Sequence, residues 1–281
     1  MRPLAPTYTT HLLAPVHREL VTTLRALSPS QWLQPTSAGS WRVRDVVAHL
    51  LDGDLRRLSY HRDALPQPEL AELRNYDDVL AYLNELNRTW IAAAGRLSPR
   101  LLTELVDEIG RQAVAFLAAL PPHEAACWPV SWAGEGQSEN WMDVSRNYTE
   151  YWHHQQQIRE ALGLPLLTDP AWLQPVIALG IRAIPLALGH AVAAAGATIH
   201  VHVTGPAGGH WWLWQEARGW MLSDEAPGAP SEATSTVEID AESAARTWYA
   251  GRQTQAAAAR ARVTGDVELG SAVLKARALM V

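Results

Sequence analysis

The chain is poor in two residue types, with one cysteine, Cys127, and one phenylalanine among 281 residues. A disulfide within the chain needs two cysteines, and a metal cage of thiolates needs several, so both kinds of site are excluded. A lone cysteine can act as a nucleophile, but it is more typical of a small, inert hydrophobic residue. Thirteen tryptophans supply the large aromatic area instead, and they suit cores and ligand pockets alike.

The chain also lacks a strong charge, a signal peptide and a long hydrophobic run. A net charge of −6 gives no electrostatic reason to expect nucleic acid or an anionic membrane as a partner. Residues 1–10 lack the basic patch and apolar run of a signal peptide, and no uninterrupted apolar stretch approaches the ~20 residues of a membrane span. Glycine-rich nucleotide-binding loops and the motif around a catalytic serine are absent too. We therefore expect a cytoplasmic protein.

Length and composition indicate a globular protein with two domains. A chain of 281 residues is long for one domain, and 48% hydrophobic with 19% charged residues can bury a core. Residues 164–170 contain two prolines and look like a linker, beyond which the pattern changes. We expect domains at 1–165 and 166–281.

The first domain is predicted to be an up-down helix bundle. Apolar residues recur at the three- and four-residue spacing of an amphipathic helix. The predicted helices are 9–27, 41–55, 77–95, 99–120 and a last one that starts near Ser138 and ends on Gly163. Ser40 and Ser98 are expected N-caps, and Pro99 fits a first helical turn. Short connections favour a bundle whose interior can hold a metal site.

The second domain is predicted to be α+β. A helix from Ala171 to about Ala194 precedes segments that alternate between apolar and polar residues, as strands do. The predicted strands are 197–204, 211–216, 220–222 and 235–240, and further helices are predicted at 241–249 and 267–279. We expect the helices to pack against an antiparallel sheet.

Three residues are candidate metal ligands. Glu150 and His154 stand four residues apart in the last helix of the bundle, so they share a face and can reach one ion, although they could also be ordinary solvated side chains. His49 lies in or beside an apolar stripe and needs hydrogen-bond partners, which a metal, a backbone carbonyl or Asp45 could supply. Two imidazoles and one carboxylate with an open position match a catalytic zinc-type site or a site for another divalent ion.

Two other histidine patterns are alternatives. His200-x-His202 would share one face of a strand, with His210 as a third ligand from the next strand region. Glu150-x-x-His153 is half of a di-iron signature, but that site needs a second such pair, which the chain lacks. His153 points away from the apolar stripe of its helix, so we expect it to face solvent or a rim.

Two stretches resemble the mycothiol-dependent maleylpyruvate isomerase family, within the DinB-like superfamily. They are Trp41–Asp54, WRVRDVVAHLLDGD, and Thr149–Gly163, TEYWHHQQQIREALG. Thr264–Leu269, TGDVEL, is similar to that family's second domain, which resembles sterol carrier proteins. The resemblance covers nearly the whole chain in order. It implies a DinB-like up-down helix bundle followed by a sterol-carrier-like α+β domain.

The resemblance also implies an enzyme in which His49, Glu150 and His154 hold a divalent metal, zinc or alternatively nickel or another ion. In such enzymes the metal is thought to hold the thiol of a small cosubstrate such as mycothiol. A bound cation stabilises a thiolate at neutral pH without a protein cysteine. The thiolate would add to a small electrophile, which is isomerised or keeps the thiol. Arg56 and Gln157 are candidates to orient the ligands or to bind an anionic substrate.

Two further functions stay open at this stage. One is a hydrolase of amide or ester conjugates, in which the same metal activates water. The other is a non-enzymatic protein whose tryptophan-rich second domain binds an apolar ligand. The expected partners are a small thiol and a small electrophile, without nucleic acid or membrane, and the expected state is a monomer or small homo-oligomer.

Overall fold

The computed structural model describes residues 4–67, 76–226, 233–249 and 254–278. The chain divides into two compact units. The helical unit contains Thr9–Cys127 and Asn147–Leu166, and the sheet unit contains Met1–Tyr8, Trp128–Arg146 and Leu167–Val281. The segments of the two units alternate along the chain, and the domain boundary expected at residue 165 stays a prediction.

Where the structure describes the helical unit, five α-helices contribute to it, as predicted. They are α1 (Thr10–Arg25), α2 (Val43–Arg56), α3 (Tyr76–Ala94), α4 (Pro99–Ala119) and the later part of α5 (Asn140–Leu162). A π-helical turn, Arg57–Arg62, continues α2, and a 3-10 turn, Gln31–Leu33, follows α1. Helix α4 packs on α1 and α2, and α3 packs on α2.

The contact between α1 and α4 is built from an apolar stripe and one histidine. The stripe consists of Leu12, Leu13, Val16, Leu20, Val21 and Leu24, all buried. His17 is buried beside them, with its Nε2 3.1 Å from the carbonyl oxygen of Val106 in α4. A Cβ on Gly110 would lie 2.3 Å from that Nε2. The helices can therefore approach this closely only because residue 110 has no side chain.

The predicted ends of α4 and α5 are confirmed. The hydroxyl of Ser98 accepts from the N–H of Leu101 at 3.2 Å, ahead of Pro99 in the first turn. Helix α5 ends before Gly163, whose φ of +63° lies in the left-handed region that favours glycine.

The predicted start of α2 is wrong by two residues. The helix begins at Val43, and the N–H of Arg42 donates to the Asp45 carboxylate at 2.9 Å. Ser40 is therefore not its cap. An acidic side chain in the first turn satisfies a free backbone donor there and interacts well with the helix dipole.

Within its described residues, the sheet unit contains five strands and five helices that follow α5. The strands are β1 (Thr198–Thr204), β2 (Gly209–Glu216), β3 (Gly219–Ser223), β4 (Ser235–Asp240) and β5 (Arg262–Gly265). The helices are α6 (Pro170–Gly180), α7 (Ile184–Ala187), α8 (Ala241–Tyr249), α9 (Thr254–Ala258) and α10 (Val267–Leu274). The single helix predicted from residue 171 to about 194 is thus broken after Gly180, where a 3-10 turn, Ile181–Ala183, leads into α7.

The sheet is mixed rather than antiparallel. Its strand order is β3-β2-β1-β4-β5. Three neighbouring pairs are antiparallel, but β1 and β4 are parallel. Parallel neighbours need a crossover connection, and the chain that contains the β2–β3 hairpin provides it. The predicted fold class, a helical N-terminal region followed by an α+β domain, is confirmed.

One stretch, Pro170–Ala187, is long and apolar enough to cross a membrane by length and composition alone. It includes α6 and α7, and 44% of it is buried inside the protein. Core helices of soluble proteins pass the same test, so this stretch is a weak indication of a span.

Candidate metal site

Helices α2 and α5 bring three metal-binding side chains together. His49 comes from α2, and Glu150 and His154 come from successive turns of α5. One ligand atom of each lies within 4.8 Å of the other two, and no other such group of three occurs among the described residues. Glu150 Oε2 and His154 Nε2 are 3.3 Å apart, and the two imidazole rings lie 4.7 Å apart between centroids.

Side-chain amides orient both imidazoles. His49 Nδ1 lies 3.0 Å from Oδ1 of Asn87 in α3, and His154 Nδ1 lies 2.8 Å from Oε1 of Gln157. An amide oxygen can only accept, so these contacts place the proton on each Nδ1 and the lone pair on each Nε2. Metal-binding histidines commonly have an outer partner of this kind.

His49 is held in the neutral form that a metal requires. Burial, together with the charge of nearby His154, lowers the pKa of His49 to about 4. The indole ring of Trp41 lies 5.1 Å from the His49 ring between centroids. Trp90 Nε1 of α3 donates to the Ala48 carbonyl at 2.8 Å, which anchors α3 beside the same turn of α2. The imidazole is therefore unprotonated and packed in place at neutral pH.

The donor set fits a divalent ion. Nitrogen and oxygen ligands about 2.1 Å from one ion lie up to about 4.2 Å apart, so small side-chain movements would let these three share an ion. A tetrahedral ion would keep one position open for another molecule. Imidazole and carboxylate together suit zinc and several other first-row divalent metals.

His153 is buried, and the prediction of a solvent-facing or rim position is wrong. Residues 151–156 of α5 are all buried, so the helix is covered around nearly its whole circumference there. The amide Nε2 of Gln157 donates to His153 Nε2 at 3.0 Å. Gln157 therefore bridges His153 and His154, and His153 is not one of the three converging side chains.

Arg56 lies near the candidate site but not among the three converging side chains. Its Nε is 2.9 Å from Asp52 Oδ2, one turn earlier in α2. Its positive charge is one of the weaker influences that lower the pKa of His49. The alternative histidines, His200 and His202, lie in β1 of the sheet unit, and among the described residues they do not form a group of three converging ligands with His210.

Sequence reasoning missed Asn87 and a buried acid. Tyr151 OH donates to Asp54 Oδ2, and burial raises the pKa of Asp54 to about 7. The signal for Asp54 was available, because it lies three residues from Leu51 and four from Leu50 on the buried stripe of α2. Asn87 gave no comparable signal, since its role depends on the packing of α3 against α2.

When the pH falls from 7 to 5, the metal-free wild-type protein is expected to lose more stability than a metal-free His153→Gln variant. Burial lowers the pKa of His153 to about 3, whereas the unfolded chain takes up the proton near pH 6.5. Unfolding is therefore favoured as the pH falls below about 6.5, by about 2 kcal/mol at pH 5 for this one group. Glutamine can still accept the hydrogen bond from Gln157. Urea unfolding at pH 7, 6 and 5 measures the difference.

The buried Asp54 changes the stability in the opposite direction as the pH falls, so the wild type must be compared with the His153→Gln variant. Its raised pKa means that the folded state takes up a proton first as the pH falls through about 7, which favours folding at lower pH. This contribution is common to the wild type and the variant, so the difference between them isolates His153. Identical pH profiles for the two proteins would contradict the assignment of a neutral buried imidazole.

A family model described as the mycothiol maleylpyruvate isomerase N-terminal domain matches residues 13–159. This range contains His49, Glu150 and His154. No sequence among curated proteins matches the chain significantly.

Two solved structures resemble the chain in fold. One is the mycothiol-dependent maleylpyruvate isomerase carrying a histidine-to-alanine mutation, with a TM-score of 0.54, 11% identity and coverage of 92% of each chain. The other is the mycothiol-dependent maleylpyruvate isomerase, with a TM-score of 0.51, 11% identity and coverage of 85% of this chain and 86% of that one. At this identity the likeness concerns the fold.

Proposed function

Because the chain belongs to the mycothiol maleylpyruvate isomerase N-terminal domain family, we propose that it is a divalent-metal-dependent enzyme with a small thiol cosubstrate. The thiol is mycothiol or a similar molecule. The reaction is transfer of that thiol to a small electrophile, or thiol-assisted cis–trans isomerisation of one. The observation that carries the proposal is the convergence of His49, Glu150 and His154.

In this proposal these three side chains hold the ion, with Zn²⁺ preferred and Ni²⁺ or another divalent ion as alternatives. When bound, the ion supplies Lewis-acid stabilisation of a thiolate at neutral pH. The chain contributes two lone pairs on Nε2 atoms and one carboxylate, positioned before the ion arrives. Asn87 and Gln157 fix the imidazole orientations through the Nδ1 protons.

Arg56 and Gln157 have different proposed roles. The Arg56 guanidinium retains its pairing with Asp52 and provides positive potential that attracts an anionic substrate toward the site. Gln157 uses both ends of its amide on His153 and His154, so its proposed contribution to substrate binding is through the orientation of His154.

The proposal also covers the location and the organisation of the protein. A reduced thiol cosubstrate is maintained in the cytoplasm, where thiols stay reduced, and we place the enzyme there as a monomer or small homo-oligomer. The three proposed metal ligands all lie in the proposed domain 1–165.

The test is turnover by untagged, zinc-loaded protein with mycothiol and either maleylpyruvate or an alkylating electrophile. We expect turnover to require both thiol and metal, to fall at least ~100-fold in His154→Ala because a metal ligand is lost, and to be unchanged in His11→Ala, an exposed histidine of α1. Thiol-independent cleavage of amide or ester conjugates would replace the proposal with a hydrolase. Zinc binding without thiol-dependent turnover of either electrophile would contradict it.

A further inference from the structure

The two helices that carry the proposed metal ligands are joined by a second contact inside the bundle. Tyr151, which follows Glu150 in α5, donates its hydroxyl hydrogen to Oδ2 of Asp54 in α2. Both side chains are buried. Asp54 is five residues after His49, which places it about 7.5 Å further along α2. The hydrogen bond therefore links α2 to α5 at a level different from that of the ligands.

Residues of four helices surround the hydroxyl group of Tyr151. Besides Asp54 of α2, the imidazole of His17 of α1 lies 6.0 Å from the Tyr151 ring between centroids and is nearly perpendicular to it. A Cβ on Gly110 of α4 would lie 3.2 Å from the hydroxyl oxygen. Because close-packed interiors leave little free volume, the phenol ring can move only if α1 or α4 moves too.

The burial of this pair makes its hydrogen bond costly to lose. Burial raises the pKa of Asp54 to about 7, although the hydrogen bond from Tyr151 and the charge of Arg57 act against it. The carboxyl group has thus lost much of its hydration, and an unpaired polar group in this place costs free energy. Any arrangement of α2 and α5 that separates Tyr151 from Asp54 carries that cost. The pair therefore favours the one register in which hydroxyl and carboxyl meet.

A metal site depends strongly on this register. His49 is in α2, whereas Glu150 and His154 are in α5. Distances between an ion and its ligands must be correct to about 0.2 Å. A slide of α5 by one residue would move its side chains by about 1.5 Å and turn them by about 100°. The 4.7 Å separation between the rings of His49 and His154 requires a fixed register.

We propose that Asp54 is a positioning residue, which through Tyr151 holds α2 against α5 in the register that lets His49 meet Glu150 and His154. The inference rests on the proposed function, since it assigns these three side chains to one metal ion. Asp54 itself is not among the converging ligands. The competing explanation is a buried pair that contributes to the stability of the bundle without affecting the ligands.

Nuclear magnetic resonance of the metal-free, full-length protein tests the register without an ion. The ring protons of His49 and His154 should give a nuclear Overhauser cross-peak in the wild type, because the rings are 4.7 Å apart between centroids. We expect Tyr151→Phe to lose this cross-peak, since the phenyl ring cannot donate to Asp54. Asp54→Asn should retain it, because an amide oxygen still accepts from the hydroxyl, whereas Asp54→Leu should lose it.

Metal binding provides the second measurement. In competition with a chromophoric chelator, Tyr151→Phe and Asp54→Leu should bind Zn²⁺ about 10–100-fold more weakly, as expected when the support of a ligand is lost. Asp54→Asn should stay close to wild type. With Co²⁺ as the probe, the visible absorption spectrum reports the geometry of the ligands and should change in Tyr151→Phe but not in Asp54→Asn.

Leu24→Ala is the matched control for lost stability. Leu24 is buried in α1, seven residues and about 10 Å along the helix from His17, the α1 residue that touches Tyr151. The variant should unfold at a lower urea concentration than the wild type and yet keep the cross-peak, the zinc affinity and the Co²⁺ spectrum.

The proposal would be overturned if Tyr151→Phe kept both the cross-peak and the wild-type zinc affinity, or if Leu24→Ala lost them to the same extent. Circular dichroism verifies folding, and the comparison of Asp54→Asn with Asp54→Leu decides the question if Tyr151→Phe does not fold. A wild type that binds no zinc would contradict the metal site of the proposed function, whereas the cross-peak would still decide the role of Asp54.

Discussion

His154→Ala is expected to remove one equivalent of tightly bound zinc from the protein and to lower the affinity of the helical unit by at least ~100-fold, since it deletes a direct ligand and not only an outer partner. His49→Ala should do the same, because the two rings lie only 4.7 Å apart and converge with Glu150 on one point. Metal content after dialysis against a weak chelator measures the loss, and circular dichroism verifies that the helices remain.

The hydrogen bonds behind the ligands predict a graded series. Gln157→Leu removes the acceptor for the Nδ1 proton of His154 and the donor to His153, and should weaken zinc binding by ~10–100-fold. Asn87→Leu should behave similarly through His49. Wild-type zinc affinity in both His49→Ala and His154→Ala would exclude a metal site built on these two histidines. His11→Ala, on the exposed face of α1, is the control for loss of a histidine as such.

Trp248→Ala is expected to destabilise the sheet unit by about 3–5 kcal/mol, the cost of emptying a large buried aromatic position. Trp248 is fully buried in α8. Its ring packs so tightly on α6 that a Cβ on Gly180 would lie 3.0 Å from Trp248 Cε3. Since packing at this density cannot close around a lost indole, a cavity would remain. Urea unfolding followed by far-ultraviolet circular dichroism measures the change.

Trp248→Phe separates ring packing from the polar indole nitrogen. Among the described residues, Trp248 Nε1 is buried and has no hydrogen-bond partner. Replacing the indole by a phenyl ring removes this unsatisfied N–H, which offsets part of the stability lost through the smaller ring. We expect this variant to lose clearly less stability than Trp248→Ala. Val192→Ala, at a position that is 96% exposed, should change stability by no more than about 0.5 kcal/mol. Equal losses for the alanine and phenylalanine variants would contradict the cavity argument.

Much of the helical unit could be predicted from sequence because its signals are local. The apolar period of α1 requires only residues three and four apart, and the Ser98–Pro99 start and the Gly163 end depend on backbone groups within one turn. The i,i+4 spacing of Glu150 and His154 also follows from helix geometry alone. The false cap at Ser40 shows the limit of such signals, since Asp45 competes for the same end of α2.

These local signals could not predict which distant strands pair in the sheet. The parallel neighbours β1 and β4 are more than thirty residues apart, and nothing in either strand specifies the partner, because alternation looks the same in both directions. The prediction that His153 faces solvent or a rim was wrong for a related reason. A helical wheel assumes one covered face, whereas α5 is covered on nearly all sides at this turn.

The sequence by itself determined which side chains could form a metal site, because ligand chemistry and helical spacing are properties of residues and short segments. Only the tertiary structure decided that His49 lies within 4.8 Å of Glu150 and His154, and that Asn87 and Gln157 hold the imidazoles. Those outcomes depend on how helices pack, and the free energy of such contacts comes from residues far apart in the chain.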